Sequence, residues 1–307
     1  PYFGTLEKPE CHMLYNVTTM ATTWNSVATR DTRLLKNQMD VLASLPKDYV
    51  FLNYLRCHDD IGWGLDYPTL RWWGMEERPH KQYINDFFTG TVEGSFSRGE
   101  LYNADPVTGD ARFCGTTASM CGVEKAGFEQ DEEQMEAAIS RILMLHAFMF
   151  TESGIPMLYS GDEVGQTNDY SYKDVPEKAP DSRYIHRGKF RWELVDDIKN
   201  EGSVSERIYH GLDKLEKIRS SEKVFMSNAV FYTLDTYEQS VICIVREYED
   251  ERLIGLFNFS EYNKIAWIDQ QDGMYKDLVT GQEMRASGVW VPANGFFWLK
   301  REKGQEE

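Results

Sequence analysis

No stretch of this chain approaches the roughly 18–20 consecutive apolar residues that a membrane-crossing helix needs. The most apolar helical run, LMLHAFMF at 143–150, is short and holds His146, so it reads as a buried helix. Positive charge is also scarce: 33 Lys and Arg face 50 Asp and Glu, a net charge of −17. Nucleic acid and anionic membrane surfaces recruit clustered Lys and Arg, so neither is an expected partner, whereas a neutral substrate is compatible. Cysteine is sparse and unpatterned. Cys11, Cys57, Cys114, Cys121 and Cys243 are odd in number and form no Cys-x-x-Cys pair. That usage fits free thiols in a reducing compartment, and a cytoplasmic location is the expectation. No charged, apolar and cleavage-site series opens the sequence, so no secretory leader is expected. Internal repeats and low-complexity segments are absent too.

What is present is enough for two cores: 307 residues, 41% of them hydrophobic. Residues 17–42 place Met20, Trp24, Val27, Leu34, Leu35 and Met39 near helical spacing. DYVFLNYLRCHDD (48–60) then reads as a buried strand ending in acids. Residues 64–113 mix aromatics, glycines, charges and turn signals, the signature of an ordered insertion. The run at 131–153 is a helix with acids in its first turn, where the macrodipole favours them. GIPMLYSGDEVG (154–165) is a short strand entering a Gly-Asp-Glu turn. Helix, strand, insertion, helix and strand in this order give the rhythm of a parallel barrel or doubly wound sheet. A helix at 203–221 follows, and from about residue 222 short β-rich runs alternate with turns, which predicts an antiparallel all-β domain. The charged tail KREKGQEE is expected to fray.

The most informative stretch is NYLRCHDDIGW (53–63). A histidine and two acids make a poor strand and a poor helix start, but they suit the mouth of a pocket at a strand end. Three readings stay open: a strand-end turn whose acids cap the next segment, a metal site, and a sugar site. Against the metal, no further His or Asp follows at a ligand spacing. In the sugar site, a carboxylate and an imidazole hold hydroxyls and steady a cationic transition state.

This stretch resembles the fourth sequence motif of the α-amylase superfamily (glycoside hydrolase family 13), and most of all its amylosucrase and sucrose hydrolase branch. The wider family has Asn-His-Asp; here Cys57 precedes His58-Asp59. Further likenesses occur in order. ECHMLYN (10–16) resembles the sixth barrel strand, TMATTWNSVATRDTRLL (19–35) the helix after it, and EGSFSRGE with NADPVTGDARFCGTTASMCG the insertion after the seventh strand. GIPMLYSGDEVG resembles the eighth strand and DSRYIHR (181–187) the segment beyond it. The resemblance implies a partial TIM (β/α)8 barrel, about strands 6–8 with an inserted subdomain, over residues 1–221. A β-sandwich C-terminal domain would follow over 222–307.

The resemblance also implies roles. Asp59 would stabilise the transition state, and His58 would donate to glucosyl hydroxyls. Asp60 and Arg112 would lie toward the fructosyl or acceptor side, and Arg183 would help close the blind end of the pocket. No metal and no cofactor is implied. Lys81 stands where the branch has Arg, and an ammonium cannot reproduce a bidentate guanidinium fork, which tilts the expectation toward hydrolysis or a different acceptor. Asp162 and Glu163 are expected to hold their loop, and Trp72 and Trp73 to form a small core. The family's nucleophile, in Arg-x-Asp, and its acid/base Glu end strands four and five, and nothing upstream of ECHMLYN supplies either. The expectation is therefore the C-terminal part of a larger enzyme acting on sucrose or an α-glucan, partnered by its N-terminal half. The alternative is a self-associating carbohydrate-binding half-barrel.

Overall fold

The computed structural model describes residues 3–5, 7–269 and 273–302; the last five residues of the charged tail lie outside them. In chain order the strands are β1 (Met13–Tyr15), β2 (Val50–Tyr54), β3 (Ile61–Gly62), β4 (Glu100–Tyr102), β5 (Arg112–Cys114) and β6 (Ile155–Met157). There follow β7 (Val230–Leu234), β8 (Val241–Tyr248), β9 (Glu251–Asn258), β10 (Lys264–Ala266), β11 (Met274–Asp277), β12 (Glu283–Arg285), β13 (Val289–Val291) and β14 (Phe296–Glu302). The chain forms two compact units, neither continuous in sequence. One comprises 1–54, 144–157 and 212–307, and the other 55–143 and 158–211.

In the first unit β1, β2 and β6 form a parallel sheet with β2 central, registered Met13 to Val50 and Leu52 to Ile155. Parallel neighbours require a crossover, and two helices supply the one between β1 and β2. The periodic stretch at 17–42 is not one helix: it breaks at Arg30, which takes a left-handed φ of 58° and caps Val17–Thr29 before Arg33–Ala43 begins. Trp24, Leu35 and Met39 are fully buried on these helices. Asn16, just beyond β1, donates to Asn53 Oδ1 at 2.9 Å and to Glu152 Oε2 at 3.1 Å. Burial pushes the Glu152 carboxyl well above the usual carboxylate range, against the Asn16 hydrogen bond, which favours the ionised form.

The β-rich end of this unit is a six-stranded antiparallel sheet, ordered β12-β11-β14-β9-β8-β7, beside a two-stranded β10-β13 pair. β12 is the one strand that the run of apolar residues did not signal, because Glu283 and Arg285 are polar and exposed. Arg246 on β8 is fully buried, with no carboxylate partner among the described residues. It donates instead to the carbonyls of Val224, Met226 and Thr151 at 2.6–3.0 Å.

The second unit holds the insertion, which is ordered, as its composition predicts. β3, β5 and β4 make a small antiparallel sheet, and the helix Glu77–Thr89 contributes Ile84, Phe87 and Phe88 to a core with Trp63 and Phe113. The Trp63 indole N–H donates to Asn85 Oδ1 at 2.7 Å. This explains why Ile-Gly-Trp follows the acids at once: Ile61 and Trp63 are the first residues of the insertion's core. The expected Trp72–Trp73 core does not form around Trp72, which is 87% exposed.

Candidate functional site

β2 stops at Tyr54, and residues 55–60 form an irregular loop at the start of the second unit. Its burial is graded: Leu55 and Arg56 are inside, Cys57 is half-buried, and His58 and Asp59 face solvent. Arg56 anchors it. Its guanidinium reaches Asp162 Oδ1 through Nε at 2.9 Å and Nη2 at 2.7 Å, with both side chains 2% exposed. Thr117 Oγ1 donates to Asp162 Oδ2 at 2.9 Å, and the Tyr159 ring lies 4.5 Å from the guanidinium carbon. Asp162 thus holds its loop, as expected, and it does so by neutralising a buried charge. Glu163 accepts from the Gly161 N–H at 2.7 Å.

Above this anchor the His58 carbonyl receives Arg187 Nε at 2.5 Å, and His186 Nε2 lies 3.2 Å from it. Burial, then the nearby Arg56 charge, pushes the His186 imidazole down to about 4. Its buried Nδ1 has no partner among the described residues, so protonation would add an unpaired donor there. The pH consequence has a definite sign. The unfolded histidine takes up its proton near the ordinary value of 6.5, while the folded one resists it until about 4. Stability is therefore full above 6.5 and falls as pH drops from 6.5 toward 4, by up to about 3 kcal/mol. In His186→Gln the drop in urea midpoint across this window should shrink; an unchanged slope would remove the assignment.

Asp60 has a side chain only 7% exposed and lies 3.2 Å from Arg112 Nη1 and 3.9 Å from Arg183 Nη1. Arg183 also grips Asp181 through two bonds of 2.8 Å and lies 4.5 Å over the Tyr102 ring. That guanidinium holds the Asp181 carboxyl below its usual value. Asp59 Oδ1 is 3.6 Å from both Arg187 Nη2 and His58 Nε2. The structure thus brings His58, Asp59, Asp60, Arg112 and Arg183 together around one loop. Asp60 is nearly buried between the two guanidinium groups, whereas the Asp59 carboxylate is 58% exposed. Lys81 is not in this patch's contacts: it binds Glu77 at 2.9 Å and Asp110 at 3.2 Å, over the Tyr67 ring. Sequence reasoning assigned nothing to Arg56, Thr117, His186 or Arg187. It also set a metal aside, yet Cys57, His58 and Asp59 bring ligand atoms within 4.8 Å of one another.

With this geometry in place, comparison with known proteins shows what the chain is similar to. Structural neighbours are α-amylase-family enzymes with a TIM barrel and a C-terminal β domain. A crystal structure of sucrose 6F-phosphate phosphorylase from Thermoanaerobacter thermosaccharolyticum aligns over 90% of this chain and 47% of its own, with TM-score 0.58 and 16% identity. AmyP in complex with maltotriose aligns over 98% and 52%, with TM-score 0.64 and 13% identity. These likenesses speak to the fold. In sequence, the chain is 25% identical over 301 residues to glucosylglycerate phosphorylase of Escherichia coli (strain K12), covering 97% of this chain and 50% of that protein. It is 26% identical over 166 residues to cyclomaltodextrinase of Thermoanaerobacter pseudethanolicus (strain ATCC 33223 / 39E), covering 53% of this chain and 25% of that protein. Its homologues are glycosyl-transferring or glycoside-hydrolysing enzymes. The chain spans about half the length, or less, of these relatives. No protein-family model matches it.

Proposed function

We propose that this chain is part of a retaining α-glucosidase or transglucosidase acting on sucrose or a related α-glucoside. Asp59 stabilises the oxocarbenium-like transition state, and His58 donates to hydroxyls of the glucosyl ring. Asp60 with Arg112 serves the fructosyl or acceptor side, and Arg183 closes the blind end. The observation that supports this best is the loop itself: it exposes Asp59 and His58 while Arg112 and Arg183 gather on Asp60 beside them. A retaining mechanism needs a nucleophile and an acid/base about 5–5.5 Å apart. In this reading an N-terminal half, matching the length of the relatives that this chain does not span, supplies both.

The acceptor is water, a glucan hydroxyl or inorganic phosphate. Phosphate enters because two of the relatives are named as phosphorylases. A glucan clamp at Lys81 is disfavoured, since Glu77 and Asp110 already take its charge. The test is product analysis with the assembled enzyme, on sucrose and other α-glucosides, with each acceptor supplied in turn. The expected product keeps the α configuration; a β product, or no turnover of any α-glucoside, overturns the reading.

One observation favours a second reading, self-association of this chain. β1 and β6 each pair only with β2 among the described residues, and Met13, Tyr15 and Ile155 stand about half exposed on them. Such open edges invite pairing. Native mass spectrometry separates the two, because the first expects a different polypeptide in the complex and the second expects copies of this one.

A further inference from the structure

The same loop carries a donor set that the sugar chemistry does not use in full. Cys57 Sγ, a His58 ring nitrogen and an Asp59 carboxylate oxygen all lie within 4.8 Å of one another, and they are the one such group found among the described residues. The Asp59 N–H points its hydrogen bond at Cys57 Sγ, 3.4 Å away, which keeps the sulfur against the acid's backbone. Arg187 and His186 meanwhile fix the His58 carbonyl, so the loop that bears all three ligands is held from beneath.

Thiolate, imidazole and carboxylate together suit Zn2+, whereas Mg2+ and Ca2+ prefer all-oxygen sites. Zinc–ligand bonds of about 2.0–2.3 Å put tetrahedral ligand atoms about 3.3–3.8 Å apart. From the 4.8 Å limit the group therefore contracts by at most about 1–1.5 Å on binding. Side-chain rotation supplies that, because the His58 and Asp59 side chains are 66% and 58% exposed. A fourth position is left to water.

We infer that Cys57, His58 and Asp59 form a Zn2+ site whose occupation withdraws His58 and Asp59 from a sugar. On binding, the Cys57 S–H bond breaks, the proton goes to solvent and the sulfur lone pair goes to the metal, with no change of oxidation state. Asp59 exchanges its 3.6 Å contact with Arg187 for the ion, and Arg187 keeps the His58 carbonyl. The site goes beyond the proposed activity, and only its competition with sugar rests on that reading.

The test is isothermal titration of the untagged chain with Zn2+, followed by Co2+ as a spectroscopic stand-in. One high-affinity Zn2+ per chain is expected, weakened on the order of 100-fold in both Cys57→Ser and His58→Ala. The Co2+ complex should show a thiolate-to-metal charge-transfer band that is lost in Cys57→Ser and kept in Cys11→Ser, since Cys11 and His12 are the other adjacent Cys-His pair. Binding as tight in Cys57→Ser as in the parent chain, or a band that disappears with Cys11, overturns the site. Because the readout is metal binding, that failure would leave the glucosidase reading untouched, and loss of the glucosidase reading would leave the site standing.

Discussion

Asp59→Asn in the assembled enzyme should lower turnover of its α-glucoside by about 10²–10³-fold or more, the scale on which removing one preorganised electrostatic stabiliser acts. The amide keeps the size and one acceptor of the carboxylate but loses the charge that opposes the developing oxocarbenium ion. Structural damage cannot mimic the effect. The Asp59 side chain is 58% exposed and its ionic contacts are at 3.6 Å; exposed pairs of this kind contribute about 0–1 kcal/mol. Unfolding midpoints of the variant and the parent should agree within that range. Activity at parental level in a folded Asp59→Asn protein would end the assignment of Asp59.

The second large effect is on stability. Asp162→Ala strips Arg56 of its carboxylate partner and leaves a guanidinium inside the protein against the Tyr159 ring. Its Nη1 already lacks a hydrogen-bond partner among the described residues. Breaking a buried pair by removing one member costs about 3–5 kcal/mol, because the remaining charge stays desolvated. Denaturant unfolding should show this loss, whereas Asp162→Asn, which keeps an acceptor for Thr117 or Arg56, should lose less. A loss below about 1 kcal/mol for the alanine variant would mean that water reaches Arg56 and that the pair does not anchor the loop.

These two residues show how legibility divided. Asp59 drew notice in the sequence because acids directly after an apolar run suit a pocket mouth, although a capping turn stayed open, and its proposed role came from the resemblance of NYLRCHDDIGW to a family motif. Arg56 lay three residues away and was passed over, since a lone arginine in an apolar run carries no periodic signal. Only the fold shows that Asp162, 106 positions later, returns to it. A usable clue did exist: a charge placed within a buried run requires an opposite charge, and the strand-end Asp of GDE was available. His186 and Arg187 sat inside the quoted DSRYIHR and went unassigned, because their partner is a backbone carbonyl that no side-chain pattern reveals. At the level of elements, β2 and β6 followed from their apolar runs, whereas β1 was marked only by the resemblance of ECHMLYN to a barrel strand. The break at Arg30 did not, because a left-handed φ at a non-glycine residue leaves the hydrophobic period intact on either side. β12 was hidden for the opposite reason: its pairing with β11 is a backbone matter, and its side chains carry little apolar signal.

Hydrogen exchange of the assembled enzyme, with and without a non-cleavable thio-linked α-glucoside, tests the central claim that this loop reads the sugar. The account predicts added protection at 56–62 and at 181–187, where Asp59, Asp60, Arg183 and Arg187 meet. Saturating ligand that protects other segments and leaves both of these unchanged would contradict it.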